Sequence, residues 1–138
     1  MQAYIAISYT KRKSLRSELN AICEALKEFS IRSFVFVDNY SFGASEEKHM
    51  MKLAFEEIDK ADLLIAEVSE KAIGIGIEAG YAKGKNKPII YLRKINAEHS
   101  TTVGGTADHT IIYKDPADLK QKLSLLLLKK FKVPGPSI

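Results

Sequence analysis

One cysteine in 138 residues, Cys23, leaves no partner for a disulfide within the chain and too few thiols for a multi-cysteine metal cluster. A cytoplasmic protein is therefore expected. Long apolar runs are missing as well. The longest all-aliphatic stretch, Leu125 to Leu128, falls far short of the roughly 20 residues that cross a bilayer. No charged leader precedes the first apolar run, so neither a signal peptide nor a membrane partner is expected. Charge of one sign is scarce too: 21 Lys and Arg against 17 Asp and Glu give +4. The cations fall in short clusters, Lys11 to Lys13, Lys83 to Lys87 and Lys129 to Lys132, rather than along one stripe. Such a pattern suits a small anion and argues against a nucleic-acid polymer as partner. Repeats and low-complexity segments are absent. His49, His99 and His109 stand at no metal-ligand spacing, and neither a G-x-S-x-G elbow nor a P-loop occurs.

What is present is a 46% hydrophobic chain, enough for one core. One domain over residues 1–132 is expected, with a frayed tail at 133–138. Apolar runs alternate with segments of helical period. Ala3 to Ser8 reads as a buried strand, followed by a helix carrying Leu15, Leu19, Ile22, Leu26 and Phe29 on one face, with Cys23 beside that stripe. Ser33 to Val37 is a second strand ending in the loop DNYSFGAS, where Ser45 before Glu46 and Glu47 predicts the cap of a helix reaching Lys60. Leu63 to Val68 is nearly all aliphatic, as a central parallel strand covered on both faces should be. A helix from about Ile75 to Gly84, a strand over Pro88 to Leu92 and a short strand at Ile111 to Tyr113 follow. Asp115, Pro116 and Asp118 then start a helix ending near Phe131. Five strands alternating with helices predict an α/β fold, a five-stranded doubly wound parallel sheet of flavodoxin or Rossmann type. Ligands bind such sheets beyond the carboxyl ends of the strands. That points to residues 8–13, 38–42, 67–78 and 93–105.

Within residues 61–92, Gly74, Gly76 and Gly80 surround a carboxylate at Glu78. The spacing is G-x-G-x-x-x-G, so it is not the dinucleotide fingerprint, which needs G-x-G-x-x-G directly after a strand. Gly74 and Gly76 permit close backbone approach to a ligand, and an acid in the first turn of the following helix should stay ionised near the positive end of the dipole. On spacing alone, the stronger reading of Glu78 is an acid that merely satisfies a helix start.

The order of residues adds more. ADLLIAEV followed by GIGIEAGYA resembles the nucleoside 2-deoxyribosyltransferase superfamily, and in size the 2'-deoxynucleoside 5'-monophosphate N-glycosidases. The resemblance is strong over residues 61–92 and weaker in the first strand and in residues 96–108. It implies that Glu78 attacks the anomeric carbon, releasing the base and leaving a covalent glycosyl-enzyme. Water as second acceptor makes a hydrolase, another base a transferase. The substrate implied is a nucleoside or its 5'-monophosphate, with no metal or organic cofactor, bound by a homodimer. In YIAISYTKRK, Tyr4 and Ser8 match the residues that orient the glutamate and begin a phosphate-binding turn. Ile7 replaces the family glycine and Thr10 the family arginine, so the phosphate role passes to Thr10 with Lys11 or Arg12. Three cations at a helix start oppose its dipole by roughly a few tenths of a kcal/mol each, which a bound phosphate would reverse; otherwise they are solvated side chains simply tolerated there. Ser100, with Gly105 and Asp108 at matching spacing, corresponds to a serine that reaches the neighbouring subunit's phosphate; otherwise HSTTVGGTAD is an ordinary flexible loop. Asp38, Asn39 and Tyr40 either contact the base or simply form a turn.

One position departs from the family pattern. The acid that assists the leaving base stands eight residues before Asp62 in the family, where this chain has Ala54. Loss of a general acid costs on the order of 10²- to 10⁴-fold. Glu57 and Asp59 are expected to face solvent. The alternative to an enzyme is a noncatalytic nucleotide-binding or interaction module of the same fold.

Overall fold

A computed structural model describes residues 1–8, 14–39 and 42–131. Its element order follows the sequence pattern: β1 (Gln2–Ala6), α1 (Arg16–Glu28), β2 (Arg32–Val35), α2 (Phe36–Asn39), a 3-10 turn (Ala44–Glu46), α3 (Glu47–Lys60), β3 (Leu63–Glu67), α4 (Ile73–Gly84), β4 (Ile89–Lys94), α5 (Thr101–Thr106), β5 (His109–Tyr113) and α6 (Pro116–Lys130). The five strands form one sheet in the order β2-β1-β3-β4-β5, all parallel, with the aliphatic β3 in the middle as expected.

Side chains along a strand alternate between faces, and here both faces are apolar. Ala3, Ile5, Leu63, Ile65, Ile90 and Leu92 point into one core with Leu19, Ile22 and Leu26 of α1 and Leu119, Leu123 and Leu127 of α6. Tyr4, Ala6, Leu64, Ala66, Ile89 and Tyr91 point into the other, against Ala54 and Ile58 of α3, Ile75, Ala79 and Ala82 of α4, and Val103 of α5. The start of α6 is capped as its sequence predicts, the Asp118 amide donating to Asp115 Oδ1 at 2.8 Å.

Four local expectations are corrected. The second strand ends at Val35, because the chain turns into the short helix Phe36–Asn39 where a strand end was expected. Helix α3 is not entered through a Ser45 cap: the Gly43 amide donates to Glu46 Oε1 at 3.0 Å and a 3-10 turn leads in. The segment read as a polar loop contains α5, in spite of Gly104 and Gly105, because Val103 finds a buried place against the sheet. Finally, α4 starts at Ile73, two residues early. Glycine and β-branched residues are poor helix formers, but Ile75, Ala79 and Ala82 make a buried stripe at i, i+4 and i+7, and tertiary burial decides.

The chain passes from β1 sideways to β2 and then back across β1 to β3, so the order reverses between β1 and β3. In doubly wound sheets ligands bind outside the carboxyl ends of the strands at such a switch point.

Candidate active site

Tyr4 and Glu78 meet beside this switch point. Tyr4 is fully buried on β1, its ring 5.9 Å from that of Phe34 and 6.4 Å from that of Phe36, and its hydroxyl donates a hydrogen bond to Glu78 Oε2. Glu78 comes from the second turn of α4, half-buried, not from the first turn. The dipole therefore gives it less than the sequence suggests, since that effect fades beyond the first turn. Burial raises its pKa from the ordinary 4.5 to about 7, against the lowering effect of the Tyr4 hydrogen bond. The expectation of a permanently ionised Glu78 is thus replaced by a carboxyl that titrates near neutrality. Tyr4 is driven the other way from ionisation: burial first, then the Glu78 charge, push its pKa far up, so the phenol keeps its proton and stays a donor.

The glycines sit inside α4 rather than in a loop before it. A Cβ at Gly74 would stand 4.0 Å from Glu78 Oε1, an ordinary contact, while Gly76 and Gly80 face open space. Ile73, Gly76, Ile77 and Gly80 form a stripe on the flank of α4 turned toward α5, where they line a groove of about 640 Å³ with Ser100, Thr101 and Val103. Glu78 lies outside that lining, so within one chain Ser100 and Glu78 belong to different surfaces. Ser100 is buried at the entry to α5, and its hydroxyl does not cap that helix.

Ser8 lies two residues beyond the carboxyl end of β1, 2% exposed. Asp38 is exposed in α2, and Asn39 closes the same short helix. Thr10, Lys11, Arg12 and Tyr40, and the tail at 133–138, lie outside the described residues. Among the described residues no group of three or more His, Cys, Asp or Glu is placed to hold a metal.

Helix α3 presents Ala54, Glu57 and Ile58 inward. Ala54 is 2% exposed in the same core as Tyr4 and Ala6, so the place where an acid was expected is an apolar contact. Asp59 is exposed and accepts from the Tyr81 hydroxyl at 2.9 Å, as anticipated. Glu57 is a correction. It is 8% exposed, pairs with Lys60 Nζ at 3.2 Å, and its charge adds to the upward push on Tyr4. Its position three residues after Ala54 puts it on the inward face.

Of the residues in two polar networks at the strand ends, Ser100 alone had an assigned role in the sequence. Glu67, fully buried at the end of β3, accepts from the Ser69 amide at 2.6 Å, the Ser69 hydroxyl at 3.0 Å and the Tyr113 hydroxyl. Burial raises its pKa; these bonds oppose the shift. The Lys94 amide donates to Ser69 Oγ at 2.9 Å, so the network ties the β3–α4 connection to β4. Its only signal in the sequence was a lone acid closing an aliphatic strand. The second network joins Tyr91, His99 and Ser100, whose signal was fainter still.

Known proteins resemble this chain in sequence and share its fold. The family model for nucleoside 2-deoxyribosyltransferase matches residues 3–121. A protein of Syntrophotalea carbinolica, provisionally assigned as a 2'-deoxynucleoside 5'-phosphate N-hydrolase, is 38% identical over 80 residues, 58% of this chain and 54% of that one. The match thus spans only about half the length of that curated relative. The structure of a CMP N-glycosidase from Clostridium botulinum superimposes with a TM-score of 0.68 at 22% identity, covering 91% of this chain and 99% of the other. A 2-deoxyribosyltransferase from Bacillus psychrosaccharolyticus gives 0.71 at 16% identity over 100% of both chains. At these identities the two structures speak for the fold, which is the doubly wound sheet expected. With the family model covering most of its length, the chain belongs to the nucleoside 2-deoxyribosyltransferase family.

Proposed function

We propose that this protein breaks the N-glycosidic bond of a nucleoside or nucleoside 5'-monophosphate, with Glu78 as nucleophile. The observation that carries the reading is the Tyr4–Glu78 pair: a carboxyl with a pKa of about 7, oriented by a phenol that keeps its proton, beside the switch point of the sheet. Glu78 attacks C1' as the C–N bond breaks and the base departs with the bonding electrons. The base takes its proton from water, since Ala54 offers none. Water then attacks C1' of the glycosyl ester, its hydroxyl joins the sugar, its proton goes to solvent, and Glu78 is released. A second base in place of water makes the reaction a transfer. No cofactor enters these steps. In this reading Ser8 and Thr10 with Lys11 or Arg12 bind the 5'-phosphate, and Asp38 and Asn39 contact the base.

The working unit in this reading is a homodimer in the cytoplasm. Ile73 is 86% exposed and Ile77 47% exposed beside the groove that Ser100 lines, an apolar surface suited to a second copy that receives Ser100 at its phosphate. A monomer in sedimentation at micromolar concentration would remove this part of the reading. No helix among the described residues is long and apolar enough to cross a membrane.

Burial of Ala54 favours a second reading, a module that binds a nucleotide without cleaving it. Base release from a panel of nucleosides and 5'-monophosphates, followed by chromatography with Glu78→Ala in parallel, separates the two. Release by the parent and none by the variant supports the enzyme. No release from any compound, or equal release by both, overturns it.

A further inference from the structure

Tyr91 is fully buried on β4, and its hydroxyl stands at a junction. It accepts a hydrogen bond from the Ser100 amide at 3.0 Å and lies 2.9 Å from His99 Nδ1. A phenol that accepts from an amide can still donate to a ring nitrogen or accept from it, so the Tyr91–His99 bond forms with either tautomer of the ring. The three groups therefore form a connected chain from the Ser100 amide through the Tyr91 hydroxyl to the His99 ring. The ring has its place because residue 104 is glycine: a Cβ there would fall 2.9 Å from His99 Cε1 and 3.2 Å from Nε2. Upstream, Arg93 Nη1 donates to the carbonyl of Ala97 at 2.6 Å, which holds the approach to His99. Everything in this arrangement converges on the backbone of Ser100, and the Ser100 hydroxyl is not spent on capping α5.

We propose that Tyr91 and His99, seated on Gly104, are positioning residues that fix Ser100 for recognition of the substrate's 5'-phosphate, and so set the preference for a nucleotide over its nucleoside. The inference rests on the reading of Ser100 given above. Neither Tyr91 nor His99 touches the sugar or the base. Their contribution is to hold one hydroxyl in place, which should show in the binding of phosphorylated substrates alone.

The test compares the parent with His99→Ala, His99→Asn and Gly104→Ala, using CMP and the four 2'-deoxynucleoside 5'-monophosphates, each against its own nucleoside. Gly104→Ala is informative because its clash is with the far end of an exposed side chain, so the ring can swing away while the fold is kept. Affinity is read by calorimetry, kcat and KM where base is released, and order at Ser100 by amide hydrogen exchange. Loss of one net hydrogen bond predicts weaker nucleotide binding by about fivefold for His99→Ala and Gly104→Ala. Nucleoside binding and kcat should not change, exchange at the Ser100 amide should speed up, and His99→Asn should restore much of both, since its side-chain amide offers an acceptor or a donor in place of Nδ1. Unchanged exchange overturns the inference, as does equal weakening of nucleotide and nucleoside. A parent that binds nucleotides but releases no base would sink the role of Glu78 and leave the affinity ratio to decide this proposal. Ser100→Ala with an undiminished nucleotide preference would sink the role of Ser100 and this inference with it.

Discussion

Removing the Tyr4 hydroxyl should move the pH dependence of the reaction, not merely lower its rate. In the proposed mechanism Glu78 attacks only as a carboxylate, and its pKa of about 7 means that the parent's kcat/KM should rise with pH through neutrality. The Tyr4 hydrogen bond stabilises the charged form and is the one force that lowers this pKa against burial. A hydrogen bond to a charged group contributes roughly 1.5–3 kcal/mol, and one pKa unit corresponds to about 1.4 kcal/mol. In Tyr4→Phe the rising limb should therefore shift upward by about one to two units. At pH 7 the ionised fraction falls from about half to about a tenth or less, so the variant loses roughly fivefold or more there and recovers part of it in alkali. The assay is kcat/KM for base release at constant ionic strength from pH 5 to pH 10, parent against variant. A limb in the ordinary carboxylate range for the parent would refute the burial argument. A variant reduced by one constant factor at every pH would refute the claim that Tyr4 acts through the ionisation of Glu78.

Stability should report the same carboxyl. Its folded-state pKa lies above the unfolded value near 4.5, so the stabilisation from its tightly held proton is complete below about 4.5 and lost as pH rises through about 7. Glu78→Gln escapes that loss, and its stability relative to the parent should improve by on the order of 2–3 kcal/mol between pH 4.5 and pH 8, measured by urea unfolding. Ala54→Asp should speed release of poorly leaving bases by about tenfold or more while lowering the melting temperature, since position 54 is buried in the apolar core. Asp115→Ala removes the α6 cap and should cost about 1 kcal/mol with no effect on activity. Tyr113→Phe takes one donor from the buried Glu67 and should cost about 1–3 kcal/mol in the same unfolding assay.

The sheet was legible because its signal is repeated. Runs such as LLIAEV and IIYL are buried on both faces, and each helix between them carries its own stripe. Glu78 and Tyr4 were legible only through the pattern around them, since 74 positions separate them and spacing within either segment says nothing of their contact. What escaped was decided by tertiary contacts. The early start of α4 and the existence of α5 depend on Ile75 and Val103 finding buried sites, which outweighs a glycine-rich composition that reads as loop. Glu57 escaped for a similar reason: an acid beside Glu56 on a helix reads as solvated, yet the face that carries Ala54 and Ile58 carries Glu57 too. The pKa of Glu78 was misjudged because the dipole was weighed and desolvation was not.

Ala54 and the raised pKa of Glu78 together narrow the chemistry more than either does alone. Without an acid at position 54, a base that must leave protonated draws its proton from solvent, and protonation of the base in solution is favoured by acid. Glu78, however, needs a pH near or above 7 to be a carboxylate. In a site with a general acid these demands are met by two groups with separated pKa values; here one group and the solvent oppose each other. The conflict is mildest for a base that departs without help, because attack by Glu78 is then the only step that requires a particular protonation state. Under the proposed mechanism a substrate is therefore selected first by how readily its base leaves, and only afterwards by the shape of the pocket that receives it.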